Sequence, residues 1–237
     1  MNKPGILILI PCTLGDTSSA EVIPENNLNY INSCSTFIVE NIRTARRFLI
    51  KSGISSKIDD LTFHTLNKHT KVHEFESMLN SIFSGENIGL LSEAGCPGVA
   101  DPGSEIVKIA HRLKLTVKPL VGPSSILLAI MASGMNGQRF SFNGYLPKEK
   151  QERVKQIKQL EQLSFKNRQT QLFIETPFRN QHVLEDICKY CHPDTMVTIA
   201  SELSTKNESI LSLSVKDLKH KKLNLNKKPT VFLIQKY

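Results

Sequence analysis

The residues Ser92–Gly103, SEAGCPGVADPG, carry types suited to holding a ligand: three glycines, two prolines and two carboxylates. Glycine lets the backbone approach a bound molecule closely. The segment follows a short apolar run, Asn87–Leu91, and precedes a helical pattern, Ser104–Leu113. A buried strand that ends in such a loop puts it at the carboxyl edge of an α/β sheet, where ligands bind. The plainer alternative is a tight strand-to-helix connection with incidental glycines.

Other reactive side chains carry less. The five cysteines, Cys12, Cys34, Cys96, Cys188 and Cys191, are odd in number and irregularly spaced, so no disulfide framework is expected. Cys188-Lys-Tyr-Cys191-His192 matches the haem-attachment pattern CxxCH, but it sits at the end of a predicted helix and is read as fortuitous. His64, His69 and His73 cluster without metal-ligand spacing or a carboxylate motif, so no metal is expected.

The elements that must position these residues follow from hydrophobic periodicity. Ile6–Ile10, Thr36–Val39, Ile88–Leu91 and Thr116–Val121 read as strands. Asn41–Lys51, Val72–Phe83, Ile106–Leu113 and Ser124–Ser133 read as helices between and after them. That alternation predicts a largely parallel sheet. Turn-rich stretches follow at Gly134–Gly137 and Asn143–Pro147. Beyond them, Lys148–Leu163 and Asn180–Tyr190 read as helices, and Gln171–Ile174 and Met196–Ala200 as strands. Ser209–Leu213 and Thr230–Ile234 are expected as antiparallel partners or edge strands. The pattern predicts two α/β domains, 1–122 and 123–237, with a ligand cleft between them. Pro11–Asp16, Ser92–Gly103, Val121–Ser125 and Glu175–Arg179 are the loops expected to line it.

At 237 residues, 40% hydrophobic and 22% charged, the composition is that of a globular protein rather than a disordered one. No apolar run approaches the roughly 20 residues that span a bilayer. The opening MNKPGILILIPC is too short in its apolar part for a secretory signal, and a cytoplasmic location is expected. Net charge is +8 and unevenly spread: residues 1–140 hold 13 basic and 12 acidic residues, residues 141–237 hold 17 and 10. A basic second half suits a polyanion such as nucleic acid, or is a solvated lysine-rich surface.

The ordered motifs PCTLGD at Pro11, ENIR at Glu40, SEAGCPGVADPG at Ser92, VGPSS at Val121, FNGYLP at Phe142 and FIETPFR at Phe173 extend the reading. In that order the chain resembles the tetrapyrrole-methylase-like (class III) S-adenosylmethionine-dependent methyltransferases. Within them it is most similar to the ribosomal RNA small-subunit methyltransferase I branch. The resemblance spans about Ile6 to Ile234. It implies a homodimer of two-domain subunits, S-adenosylmethionine folded in the inter-domain cleft, and methylation of a cytidine ribose 2′-hydroxyl in small-subunit ribosomal RNA.

By resemblance, Pro11, Leu14 and Gly15 face cofactor and substrate, and Gly95, Cys96 and Val99 contact the cofactor. Asp101 accepts hydrogen bonds from its amino-acid end, or else caps the next helix with Pro102 at the first position. Ser124 and Ser125 bond the cofactor or the free N–H groups of the helix they begin. Glu175 and Thr176 lie near the adenine, or form a turn with Pro177 starting a helix. Glu40 and Arg43 are the candidate catalytic pair: Glu40 orients the attacking hydroxyl or holds Arg43, and Arg43 binds a phosphate, with Arg46 and Arg47 on the same helical turn. A structural ion pair is the alternative.

Several motifs depart from the family: the first loop reads PCTLGD where the family favours PTPIGN, and Lys228-Pro229-Thr230 replaces a Gly-Glu expected before the last strand. Asn41 stands where the family has an acid, and Glu93 where it has the shorter aspartate. Two alternatives stay open: a methylase of tetrapyrroles or another small molecule, and a non-catalytic RNA-binding relative.

Overall fold

β1 (Ile6–Ile10) is five consecutive aliphatic residues, ILILI, with Leu7, Ile8 and Ile10 fully buried. Such a run is apolar on both faces, as a central parallel strand with helices on either side requires. The computed structural model describes residues 3–66, 70 and 72–237. They fall into two compact units, Met1–Ser124 and Ser125–Tyr237.

After β1, the first unit runs α1 (Ser19–Val22), α2 (Asn27–Asn32), β2 (Cys34–Val39), α3 (Ile42–Lys51), β3 (Thr62–Thr65), α4 (Val72–Ser77), β4 (Asn87–Leu91), α5 (Gly103–Arg112) and β5 (Thr116–Pro119). Its sheet has the order β3-β2-β4-β1-β5, and every pairing is parallel. Ala45, Phe48 and Leu49 of α3 pack with Ile8, Ile10, Phe37 and Val39 on one face. Ile106, Ile109 and Ala110 of α5 pack with Leu7, Ile38, Ile88 and Leu90 on the other. The chain therefore leaves β2 and β4 toward opposite edges and opposite faces. The crevice between their carboxyl ends is the switch point at which open α/β sheets bind ligands.

The second unit runs α6 (Ser125–Ser133), β6 (Phe140–Tyr145), α7 (Lys150–Asn167), β7 (Thr170–Ile174), α8 (Asn180–Tyr190), β8 (Met196–Ser201), β9 (Ser209–Ser214), α9 (Val215–Leu218) and β10 (Thr230–Gln235). Its sheet is mixed, ordered β6-β7-β10-β8-β9. Only β6 and β7 pair in parallel; β10 is antiparallel to β7 and β8, and β8 to β9. Phe173 and Phe232 stack at its centre, 5.7 Å apart. A buried ion pair joins α7 to α8, Arg153 Nε donating to Asp186 Oδ2 at 2.8 Å. Arg153 Nη1 also donates to the Lys148 carbonyl at 2.8 Å.

Several sequence expectations change. The helix expected over Val72–Phe83 is α4 followed by a separate 3-10 turn, Asn80–Ser84, closed by left-handed Gly85 (φ 99°). β3 and β6 were not expected, because both are sheet-edge strands with mixed or polar faces. β10 is a central strand rather than an edge one, and all six of its residues are buried. The charged helix is shifted toward Lys150–Asn167.

A candidate ligand site at the sheet's carboxyl edge

The loop after β1 is tied to the glycine loop after β4. Cys12 N–H donates to the Gly95 carbonyl at 2.9 Å, and Gly95 N–H returns the bond to Cys12 at 3.1 Å. Gly95 has φ 73°, the left-handed region that favours glycine. A Cβ there would stand 3.1 Å from Leu14 Cδ2. The loop after β5 joins the same edge. Asn27 of α2, itself buried, donates to the Val121 carbonyl at 2.8 Å, and Cys96 Sγ donates to the Pro123 carbonyl at 3.5 Å. Gly122 lies so close to Pro11 that a Cβ would fall 2.3 Å from the proline Cβ. Pro11, Leu14, Gly95, Cys96 and Gly122 are thus brought together within the first unit.

Asp101 organises the rest of the glycine loop. Its Oδ1 accepts from Gly98 N–H at 2.8 Å and from Gly103 N–H at 2.7 Å. Pro102, not Asp101, is the cap residue of α5, so the helix starts at Gly103, one residue after the start that capping by Asp101 implies. Asp101 Oδ2 is buried and accepts no hydrogen bond. Burial raises the Asp101 pKa, against the two backbone bonds that lower it. Val99 is about half exposed.

A cavity of about 400 Å³ opens between the ends of β2 and β4, the first loop and α3. Gly15, Glu40, Glu93, Thr44, Arg47 and Lys51 are among its lining residues. Glu40 Oε1 accepts from the Glu93 main-chain N–H at 3.1 Å. Glu93 Oε1 in turn accepts from the Thr44 hydroxyl at 2.5 Å. Burial raises the Glu40 pKa; the Glu93 N–H lowers it, and the charges of Asp101 and Glu93 raise it further. Asn41 caps α3: its Oδ1 accepts from Arg43 N–H at 2.9 Å and Thr44 N–H at 3.4 Å. An amide caps a helix as well as a carboxylate does.

The three arginines of α3 diverge. Arg46 pairs with Asp59 at 3.2 Å and lies over the Phe63 ring. Arg43 is exposed and does not line the cavity, so the Glu40–Arg43 pairing is not formed. Arg47 does line it, with Lys51 one turn on. Thr44, Arg47 and Lys51 were missed as a group, because which helical face meets the cavity depends on how α3 packs. Their i, i+3, i+7 spacing was the available signal.

In the second unit, Glu175 follows β7 with its side chain buried. Its Oε1 accepts from Thr176 N–H at 2.6 Å and from Arg179. Glu175 Oε2, Arg179 Nη1 and Asn180 Oδ1 are buried and make no hydrogen bond. Thr176 is exposed, and its hydroxyl accepts from Arg179 Nε at 3.3 Å. Pro177 does not start the helix: residues 177–179 form a turn and α8 begins at Asn180. Ser124 and Ser125 stand at the entry to α6.

All five cysteines are free, and burial raises each thiol pKa. His69 and the side chain of His73 lie outside the described residues. Among those described, no group of three or more His, Cys, Asp or Glu is arranged to hold a metal, and no helix is long and apolar enough to cross a membrane.

The family model for tetrapyrrole (corrin/porphyrin) methylases matches residues 23–219. The ribosomal RNA small subunit methyltransferase I of Vibrio cholerae is 29% identical over 217 residues, 92% of this chain and 71% of that protein. The Bacillus subtilis protein of the same name is 29% identical over 90% of this chain and 69% of its own. That of Escherichia coli O157:H7 is 28% identical over 92% and 72%. Among solved structures, the methyltransferase CobJ is similar with a TM-score of 0.65 at 16% identity, covering 98% of this chain and 94% of that one. Uroporphyrin-III C-methyltransferase from Thermus thermophilus gives a TM-score of 0.56 at 13% identity, with the same coverage. These two likenesses are of fold.

Proposed function

Since the chain belongs to the tetrapyrrole (corrin/porphyrin) methylases, S-adenosylmethionine-dependent methyltransferases, we propose that it methylates small-subunit ribosomal RNA, at a cytidine ribose 2′-hydroxyl. The relatives named for that substrate, together with the basic second half of the chain, support RNA over a small molecule.

The observation that carries the cofactor site is the convergence of bare glycine backbone with an unpartnered buried acceptor. Gly95 and Gly98, both at positive φ, keep side chains out of the loop in which Asp101 Oδ2 is buried without a donor. A buried carboxylate oxygen without a donor suits the ammonium or hydroxyl groups of S-adenosylmethionine. In the second unit, Glu175 Oε2 is likewise buried without a donor. The residues therefore fit the group. Gly95, Cys96, Val99 and Asp101 would hold it with Pro11, Leu14 and Gly15, and Ser124, Ser125, Glu175 and Thr176 would complete the set. When bound, the cofactor supplies a methyl group on a sulfonium, which is already a good leaving group.

The chain's own work is then positioning. Glu40 would orient the attacking hydroxyl; as the oxygen took the methyl, the methyl–sulfur bond would break to leave a neutral thioether, and the hydroxyl proton would pass to the carboxylate or to water. Glu93 N–H and Thr44 hold the two carboxylates in place. A ribosomal substrate makes the cytoplasm the place of action. A homodimer is the proposed assembly, supported by large apolar side chains left exposed, Met131 at 77% and Phe178 at 71%. Sedimentation of the purified chain tests it.

Two measurements test the function. Calorimetric titration with S-adenosylmethionine must show saturable heat. Incubation of the labelled cofactor with small ribosomal subunits from cells lacking the protein must label their RNA, at one cytidine. RNA binding without transfer would leave the non-catalytic alternative. Transfer only to a tetrapyrrole would leave the small-molecule one.

A further inference from the structure

The cavity at the switch point is bipolar. Glu40 and Glu93 stand at the ends of β2 and β4, while Arg47 and Lys51 line it from the second and third turns of α3. Neither cation is tied down inside the fold. Arg47 is exposed, and among the described residues Lys51 makes only a surface pair with Asp16 at 3.3 Å, its side chain 67% exposed. Such pairs are weak and exchange readily for another anion. The volume, about 400 Å³, falls in the range of small-molecule sites, roughly 300–1,000 Å³.

We infer that this cavity seats one ribonucleotide unit of the substrate strand, Glu40 taking a ribose hydroxyl and Arg47 and Lys51 taking the flanking phosphates. The inference rests on the RNA reading above and gives it a location. A carboxylate only accepts hydrogen bonds, so it suits a hydroxyl and repels a phosphate. A guanidinium and an ammonium do the reverse. Their spacing of four residues puts both cations on one face, a helical turn apart, so each reaches a different phosphate. Thr44 has a supporting part. Its hydroxyl donates to Glu93 and fixes the second carboxylate. Arg46, bound to Asp59 on the far side of the helix, does not contribute.

The test is equilibrium binding of a short fluorescein-labelled single-stranded RNA, and of the same sequence as DNA, to the full chain across a salt series. Methyl transfer to small subunits is measured alongside. Arg47→Ala/Lys51→Ala is expected to flatten the slope of log affinity against log salt by about 1.4, since each phosphate contact on a single strand contributes about 0.7. With equal affinities at about 1 M salt, that is a loss of about 25-fold at roughly 0.1 M. Affinity for S-adenosylmethionine is expected to stay unchanged, and Arg47→Lys/Lys51→Arg to restore the slope. Glu40→Ala is expected to abolish the preference for RNA over DNA; Glu40→Gln, which keeps an acceptor for Glu93 N–H, guards against a folding defect.

A wild-type slope in the double alanine variant, or equal affinity of the wild type for RNA and DNA, overturns the seat. If transfer to subunits persists in that case, the functional reading stands without it. A flattened slope with no transfer by the wild type supports the seat and removes the catalytic reading.

Discussion

The main-chain N–H of Glu93 donates to the carboxylate of Glu40 at 3.1 Å, joining the ends of β2 and β4 across the switch point. One of the two carboxylates is thereby held beside a donor, in a half-buried place where its charge is disfavoured.

That placement sets a pH dependence. The Glu40 pKa is raised chiefly by burial; the neighbouring charged and titratable groups are Glu93, Asp101, the Cys12 thiol, Arg47 and Lys51. Only the ionised form accepts a hydroxyl proton, so methyl transfer should fall as pH drops through that raised pKa. Glu40→Gln should lose this acid limb and at least about a hundred-fold in rate. Stability should move oppositely. An acid whose folded pKa exceeds its unfolded one adds no cost where both states are protonated, and its full cost appears above the folded value. Melting temperatures should therefore show the Gln variant gaining on wild type as pH rises, with no difference in acid. An equal offset at every pH would contradict this.

Asp101 is expected to act first as a clamp. Asp101→Ala removes the acceptor for two backbone N–H groups at 2.7 and 2.8 Å. A bond to a charged group contributes about 1.5–3 kcal/mol, so the loss should be at least that large, with cofactor affinity falling too. Asp101→Asn keeps the acceptor and should stay close to wild type in urea denaturation while still binding cofactor more weakly.

Gly122 has no room for a side chain, because a Cβ would stand 2.3 Å from the ring of Pro11. Gly122→Ala must push the β1 and β5 loops apart. Overpacking of this kind costs about 1–3 kcal/mol. Since both loops belong to the proposed cofactor site, calorimetry should find weaker S-adenosylmethionine binding in a chain that still folds.

The Arg153–Asp186 pair tests the second unit. The side chains are 7% and 5% exposed. Asp186→Ala leaves a buried guanidinium unpaired and should cost about 3–5 kcal/mol. Arg153→Met/Asp186→Leu removes both charges and should recover most of that loss, as thermal melting would show.

Much of the first unit was legible because its parallel strands are buried on both faces and read as unbroken aliphatic runs, as in Ile6–Ile10. The edge strands were not, since Thr62–Thr65 and Phe140–Tyr145 carry polar residues and the latter a glycine at φ 63°. At the site, Gly95, Gly98 and Asp101 announced themselves by type. Asn41 looked like a lost acid, and only the helix geometry shows it capping α3. The cavity wall of Thr44, Arg47 and Lys51 was hidden for a similar reason: three ordinary surface-helix residues become a group only when α3 is laid against the sheet.

The protonated thiols give the molecule internal clocks. A thiol is alkylated through its thiolate, so Cys12 and Cys34 in the first unit and Cys191 in the second should react with iodoacetamide only during opening. Peptide mass spectrometry of a timed alkylation would then read the opening rate of each unit separately, with no added probe, and a lag between the two sets would reveal which half yields first.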